Sequence, residues 1–588
     1  MNKKIPYAKV IGSGVANCFR AHPPLFFGLI AVSVMLCAVE VGEIFAMLSL
    51  FDAAADYING IILFNEVVYA ALPLAVLLAA GPFVYILEYL GQGYFWRRGS
   101  GYLMARYHER IQKIPLLDFE KAETFDRMKK ASSGSEDAPS ASRSVIQFLF
   151  HFIPYLVFTS VFLISVSPAL LITLFIIFAS VVVAQFLRAG YILRFENENA
   201  GLRRQTEYLE SCVAGREYIK ETRVFGATAY FFGLFIDSLK RLNKAVIATE
   251  RKISRVELLL RIVNVLGYVG ILFLMIYYCL NGRVSAGAFA SVFYSIERIS
   301  GVLRDMVELF GETLKEMSTA SFTYEFLNDD KNENAIKNYV PFDKKSDIRL
   351  ENVSFGYLEN KNVLNGIDLI VKRGETLAIV GENGAGKTTL SKIISGLYNP
   401  ASGRVLYGEK DICDYRDKLR FHGISAVFQD FMKYKLTAKE NIMISGVGSK
   451  RDVLYAAAEA GVSFDKLSQG YDTVLSREFG GTELSGGEWQ RVAIARGLYR
   501  DHEIIILDEP TAAIDPIEES NIFRMFKESA KDKTAILITH RLGSAKIADR
   551  ILLLDNGKII ELGSHDELIA LNGKYAQMYR EQAGWYER

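Results

Sequence analysis

Six apolar stretches crowd the first 311 residues, at 25–50, 67–94, 145–166, 168–187, 259–281 and 286–311. Each is long enough to cross a hydrocarbon core of about 30 Å, or close to it. A chain so built cannot bury all of this surface in one water-soluble core, so its first half is expected in a lipid bilayer. The even number of spans puts both ends of the set on one side. Loop charge gives the orientation, because Lys and Arg accumulate in cytoplasmic loops. The segment 51–66 has neither, the turn at Ser167 has neither, and the turn after the fifth span has only Arg283. Segments 97–144 and 188–255 are rich in them, including Arg97, Arg98, Arg106, Arg110, Lys129, Lys130, Arg203 and Arg204. These segments, with both termini, are expected in the cytoplasm.

The two cytoplasmic connections are far longer than a turn and show apolar residues at helical spacing among charges. They are expected to prolong the flanking spans into an intracellular stalk, closed by transverse pieces at 116–128 and 216–227. Within the spans, Glu40 and Glu43 share one helix face. A carboxylate at the bilayer centre costs about 2.5–3.5 kcal/mol, so this face lines a polar path or lies near the hydrated outer interface. Glu297, Arg298, Arg304 and Asp305 in the last span could equally be paired charges that lock helices together.

The whole-chain charge is nearly balanced, 68 Lys plus Arg against 67 Asp plus Glu, and gives no reason to expect a nucleic-acid partner. Five cysteines, at 18, 37, 212, 279 and 413, have no spacing that suggests a disulfide framework or a zinc site. The opening segment 1–24 lacks the cleavage site of a secretory signal, and no removable targeting peptide is expected. The domains expected are a cytoplasmic segment 1–24, an all-α six-helix transmembrane domain 25–318 with long cytoplasmic extensions, a polar linker 319–347, and an α/β domain 348–588.

The last domain carries the chemistry. Residues Gly381, Glu382, Asn383, Gly384, Ala385, Gly386, Lys387, Thr388 and Thr389 follow the strand-like run 376–380 and precede the helical pattern 390–397. That context defines a P-loop. Its glycines let backbone N–H groups turn onto phosphate oxygens at a helix N-terminus, while Lys387 neutralises the β and γ phosphates of ATP and Thr388 holds Mg²⁺. A second apolar strand, 504–507, ends in Asp508 and Glu509. It delivers one acid to Mg²⁺ and places the next to polarise the attacking water.

Ser485, Gly486, Gly487 and Glu488, in LSGGE upstream of that strand, resemble the signature of ATP-binding-cassette proteins. The resemblance implies roles for further residues: Tyr357 stacking on adenine, Gln429 touching Mg²⁺ and sensing the membrane domain, Asp515 in a dimer-contact loop, and His540 on the γ-phosphate. Six spans followed by an ATPase in one chain resemble the exporter type, a half-transporter in the cell membrane with its ATPase in the cytoplasm. In that family each ATP lies between the P-loop of one subunit and the signature of another, so the expected partner is a second half-transporter, a homodimer with a heterodimer permitted. The runs 477–490 and 428–434 resemble bacterial lanthipeptide and bacteriocin exporters, which implies a bacterial plasma membrane and a peptide cargo. No cysteine-peptidase domain is expected before the first span. Lipid or drug efflux, an ATP-gated subunit that does not pump, and import on the same fold remain alternatives.

Overall fold

The computed structural model describes residues 6–329, 346–358, 361–414, 421, 423–446, 449, 451–509, 526, 528, 531 and 533–586. Asp515 lies outside them. The chain divides into two compact units, Met1–Lys113 with Glu123–Asp330, and Ile114–Ala122 with Lys331–Arg588.

The first unit is all helix. It contains α1 (Tyr7–Ala21), α2 (Pro23–Ile58), α3 (Phe64–Ile111), α4 (Ala122–Gln147), α5 (Ile153–Val166), α6 (Ala169–Ala214), α7 (Ile219–Val224), α8 (Thr228–Leu280) and α9 (Ala286–Leu327). The 53 residues of α8 correspond to about 80 Å of helix, well beyond a bilayer. This is the stalk that the basic connections imply. Among the described residues, α2, α3, α8 and the continuous stretch Ala122–Val166 are long and apolar enough to cross a membrane. Charged Glu297, Arg298, Arg304 and Asp305 keep α9 from the same apolarity, and its Ser291, Val292, Ser295, Ile296 and Ile299 are buried within the protein instead.

A π turn, Phe148–Phe152, joins α4 to α5. Pro154 stands just beyond it, and its ring excludes the carbonyl of the residue four before it, so the ladder is re-spaced there. Three helices meet at this turn. His151 Nε2 lies 2.9 Å from Glu40 Oε2, and Arg298 donates to Glu40 Oε1 at 2.8 Å. Tyr294 of α9 donates through its hydroxyl to Glu43 of α2. Glu40 and Glu43 are each 5 % exposed, so both are held by protein partners. The pairing expected of the last span is thus present between Arg298 and Glu40.

Three sequence expectations need correction. The stretch 319–347 is not linker from its start, because α9 continues to Leu327: Thr323 donates to Ala131 O at 2.7 Å and Phe326 packs on Tyr107. The transverse piece at 116–128 is only the 3-10 turn Leu116–Glu120, since α4 already begins at Ala122. The piece at 216–227 reduces to α7, followed by exposed Phe225.

The second unit holds two sheets. A four-stranded antiparallel sheet has the order β2-β1-β4-β5, formed by β1 (Ile348–Phe355), β2 (Leu364–Val371), β4 (Ser402–Tyr407) and β5 (Lys410–Asp411). A six-stranded sheet has the order β10-β9-β3-β8-β7-β6, formed by β3 (Thr376–Val380), β6 (Gly423–Val427), β7 (His502–Asp508), β8 (Thr534–Ile538), β9 (Arg550–Asp555) and β10 (Lys558–Gly563). Every residue of β3 and β8 is buried, as an unbroken apolar run requires in a parallel sheet covered on both faces. The short piece Ile114–Ala122 belongs here: Leu117 packs on the apolar cluster between the sheets, and Glu120 accepts from the Tyr398 hydroxyl.

Gly134 sets the spacing of α4 and α9, because a Cβ there would stand 2.2 Å from Thr319 O. Gly134→Val should lower the thermal midpoint of the detergent-solubilised chain by an amount equivalent to about 2 kcal/mol or more. Gly201→Ala, where a Cβ meets nothing within 4 Å, should leave that midpoint unchanged or slightly raised.

Candidate functional site

Strands β3, β8, β7 and β6 lie side by side and run parallel, so their C-terminal ends fall on one edge of the sheet. Ligands bind outside that edge in open α/β sheets. The chain leaving β3 forms the P-loop, the chain leaving β8 carries His540, β7 ends in Asp508, and the chain leaving β6 carries Gln429. Residues far apart in sequence are brought together by strand polarity alone.

They line one cavity of about 480 Å³. Its walls include Asn383, Gly384, Gly386, Lys387, Thr388, Thr389, Gln429, Glu509 and His540, together with Val363, which the motifs do not reveal. The other P-loop residues support it: Gly381 and Ala385 are buried, and Glu382 is paired with Lys574 at 3.0 Å. Gly386 caps the helix Lys387–Ile394 at φ +104°, a backbone conformation that an L side chain rarely adopts. It turns the loop into the helix so that the first helical N–H groups face the cavity. Lys387 Nζ donates to Gly381 O at 2.9 Å and Glu382 O at 3.0 Å. Burial holds this ammonium below its usual range, while Glu509 and Asp508 act in the opposite sense.

Glu509 is the hub of the polar wall. Gln429 Nε2 donates to its Oε2 at 3.0 Å, and His540 Nδ1 lies 3.4 Å from its Oε1. Its backbone has φ +48°, a left-handed conformation that costs an ordinary residue about 1–2 kcal/mol. The Glu509 N–H still donates to Ile538 O at 2.9 Å, so β8 holds the residue in place as the chain turns. Such local strain concentrates where geometry serves function.

Asp508, at the end of β7, is fully buried; the Thr388 hydroxyl is its hydrogen-bonding neighbour, but neither carboxylate oxygen has a fully formed hydrogen bond among the described residues. Burial pushes its pKa up to about 6, a shift that neighbouring Thr388 only partly offsets. A buried carboxylate beside the Thr388 hydroxyl offers hard-oxygen donors that a small divalent cation would complete, and the Gln429 amide lies in the same cavity wall as Thr388.

Two expected groups stand apart. Tyr357 is not in the cavity wall; its hydroxyl is 3.2 Å from Thr389 Oγ1 and its ring packs edge-on against Phe355 and Tyr398. Ser485, Gly486, Gly487 and Glu488 open the helix Gly486–Tyr499 outside the cavity wall. There Ser485 and Glu488 form a reciprocal cap, with the Ser485 N–H and hydroxyl holding the Glu488 carboxylate below its usual range. The cap leaves Gly486 exposed at a helix N-terminus of 14 residues, a surface suited to an anion.

The raised Asp508 pKa gives a signed stability effect. Its native carboxyl keeps a proton that the unfolded chain loses near pH 3.8, so its favourable contribution is full below that value and is lost as pH rises through about 6. Asp508→Asn should therefore stabilise the ligand-free chain at pH 7.5 by about 1–3 kcal/mol, and the advantage should shrink at pH 5. Thermal unfolding of the full chain at the two pH values measures it.

The ABC transporter family model matches residues 364–512. The subtilin transport ATP-binding protein SpaT of Bacillus subtilis is 30% identical over 486 residues, covering 80% of this chain and 78% of SpaT. An ATP-dependent lipid A-core flippase of Chromohalobacter salexigens is 31% identical over 366 residues, covering 61% and 62% of the two chains. The solved structure of a bacterial Atm1-family ABC exporter with ATP bound has the same fold, with a TM-score of 0.73 at 23% identity over 94% of this chain and 98% of the other. With membrane-length helices preceding a P-loop sheet in one polypeptide, the chain belongs to the ABC transporter family and has the architecture of its exporters.

Proposed function

We propose that this chain is one half of a homodimeric exporter driven by ATP hydrolysis, with Glu509 as the general base. The observation that carries this reading is the convergence of Lys387, Gln429, Glu509 and His540 on one cavity, above the buried carboxylate of Asp508. ATP phosphates would be bound by the P-loop N–H groups and Lys387. Thr388, Gln429 and Asp508 would hold Mg²⁺, which would supply charge neutralisation for phosphoryl transfer. Glu509, held between Gln429 and His540, is placed to accept a proton from the attacking water, and His540 to meet the γ-phosphate.

The separation of the signature from this cavity supports the dimer. Ser485, Gly486, Gly487 and Glu488 form a capped helix N-terminus and do not line the cavity of their own P-loop, so they would complete the site of a second copy. Tyr357, whose hydroxyl lies 3.2 Å from Thr389 Oγ1, would stack on the adenine. We assign the membrane half to a bacterial plasma membrane with the ATPase in the cytoplasm, on the basic loop segments at 97–144 and 188–255. A peptide cargo fits the similarity to SpaT over most of both chains; a lipid fits the shorter match to the flippase.

The test is vanadate-sensitive ATPase activity of the purified chain in lipid, alone and with peptides or lipids added. Wild type should turn over with no second gene product, and Glu509→Gln should lower kcat by about 10²–10⁴-fold while retaining ATP binding. Stimulation by peptides rather than lipids would support the cargo reading. A folded, ATP-binding chain without activity would overturn the homodimer.

A further inference from the structure

The membrane unit contains a larger cavity than the nucleotide site, about 920 Å³, walled by α2, α3, α9 and the junction of α4 with the π turn. It falls at the upper end of the size range for small-molecule sites. Its wall is acidic: Glu40, Glu43, Glu88, Glu297 and Asp305 face it, against Arg143, Arg298 and the imidazole of His151. Much of the basic charge is already engaged. Arg298 and His151 both hold Glu40, and Arg143 donates to Gln92 Oε1 at 2.7 Å.

Glu88 is buried like Glu40 and Glu43, with Gln92 as a hydrogen-bonding neighbour and His151 and Arg143 nearby, but one of its oxygens is left open. It is 3 % exposed, it lines the cavity, and its Oε1 has no hydrogen-bond partner among the described residues. His151 Nδ1, on the π turn that Pro154 imposes, is likewise buried without a partner. A buried carboxylate oxygen left unpaired is costly, and in a membrane span it marks a place where a partner of opposite charge belongs. The rest of the wall suits the remainder of such a partner. Tyr85 and Tyr89 offer aromatic faces, which attract cations, and Leu78 and Val302 offer apolar surface.

We propose that this cavity binds an organic cation with an apolar body, whose ammonium or guanidinium group meets Glu88. The acidic excess excludes an anionic guest by like-charge repulsion. The chemistry is shared by a lysine- or arginine-bearing peptide segment and by a small lipophilic cation. The inference deepens the export reading by naming a substrate class, but binding itself needs neither ATP nor a base.

The full chain in phosphatidylcholine nanodiscs, without nucleotide, would be titrated against a dye-labelled amphipathic peptide bearing lysines. Its counterpart with glutamates would be measured in parallel, and empty nanodiscs would give the baseline. The lysine peptide should bind at least about tenfold more tightly than the glutamate peptide, and Glu88→Gln should cost it about tenfold. Glu297→Gln, at an exposed position in the same wall, should weaken it less and serves if Glu88→Gln fails to fold. Displacement of the peptide by tetraphenylphosphonium extends the site to small cations, and no displacement restricts it to peptides. Equal affinity for the two peptides, or lysine-peptide binding unchanged in every variant that folds, would overturn the proposal. An inactive ATPase with intact cation binding would instead count against the transport reading alone.

Discussion

Strand polarity is the constraint from which the soluble unit follows. Because β3, β8, β7 and β6 all run one way, the chain leaves each of them at the same edge. Each strand must be apolar to sit in a sheet covered on both faces, so polar residues are confined to the ends. The result is a row of polar groups on a rigid apolar base, with Asp508 closest to that base and Glu509 one residue further out. The cost of burying Asp508 is tolerated because both sheets close around a continuous apolar core built from Ile379, Ile506, Ile536 and their neighbours.

In the membrane unit a single carboxylate plays a comparable organising part. Glu40 receives Arg298 from α9 and His151 from the π turn, so two segments are fixed to one point of α2. Removal of Glu40 would leave the His151 imidazole buried without the partner of its Nε2, whereas loss of either Arg298 or His151 would still leave Glu40 one partner. Pro154 matters for the same reason: without the re-spaced turn, His151 would point along a different line of the helix.

Much of this was legible in the sequence. The P-loop, LSGGE and the acids after an apolar strand are local patterns, and their chemistry can be read without knowing the fold. Alternation of charge along the membrane half likewise gave the long helices. What could not be read was anything dependent on which faces meet. Residues 319–327 mix polar and apolar types, and the packing of Thr323 and Phe326 on neighbouring helices accounts for their helical state. His151 and Glu88 are ionisable residues within apolar runs, the same signal that marks Glu40 and Glu43. The pattern over 116–128 does not show where the 3-10 turn Leu116–Glu120 ends, because its amphipathic spacing runs on into the first turns of α4.

The short piece Ile114–Ala122 is grouped with the ATPase although the chain on both sides of it is membrane helix. It is therefore a ligand tethered at two ends, and its local concentration at its docking surface is on the order of millimolar whatever the protein concentration. Leu117 and the bond from Tyr398 to Glu120 need supply only a weak intrinsic affinity to stay engaged.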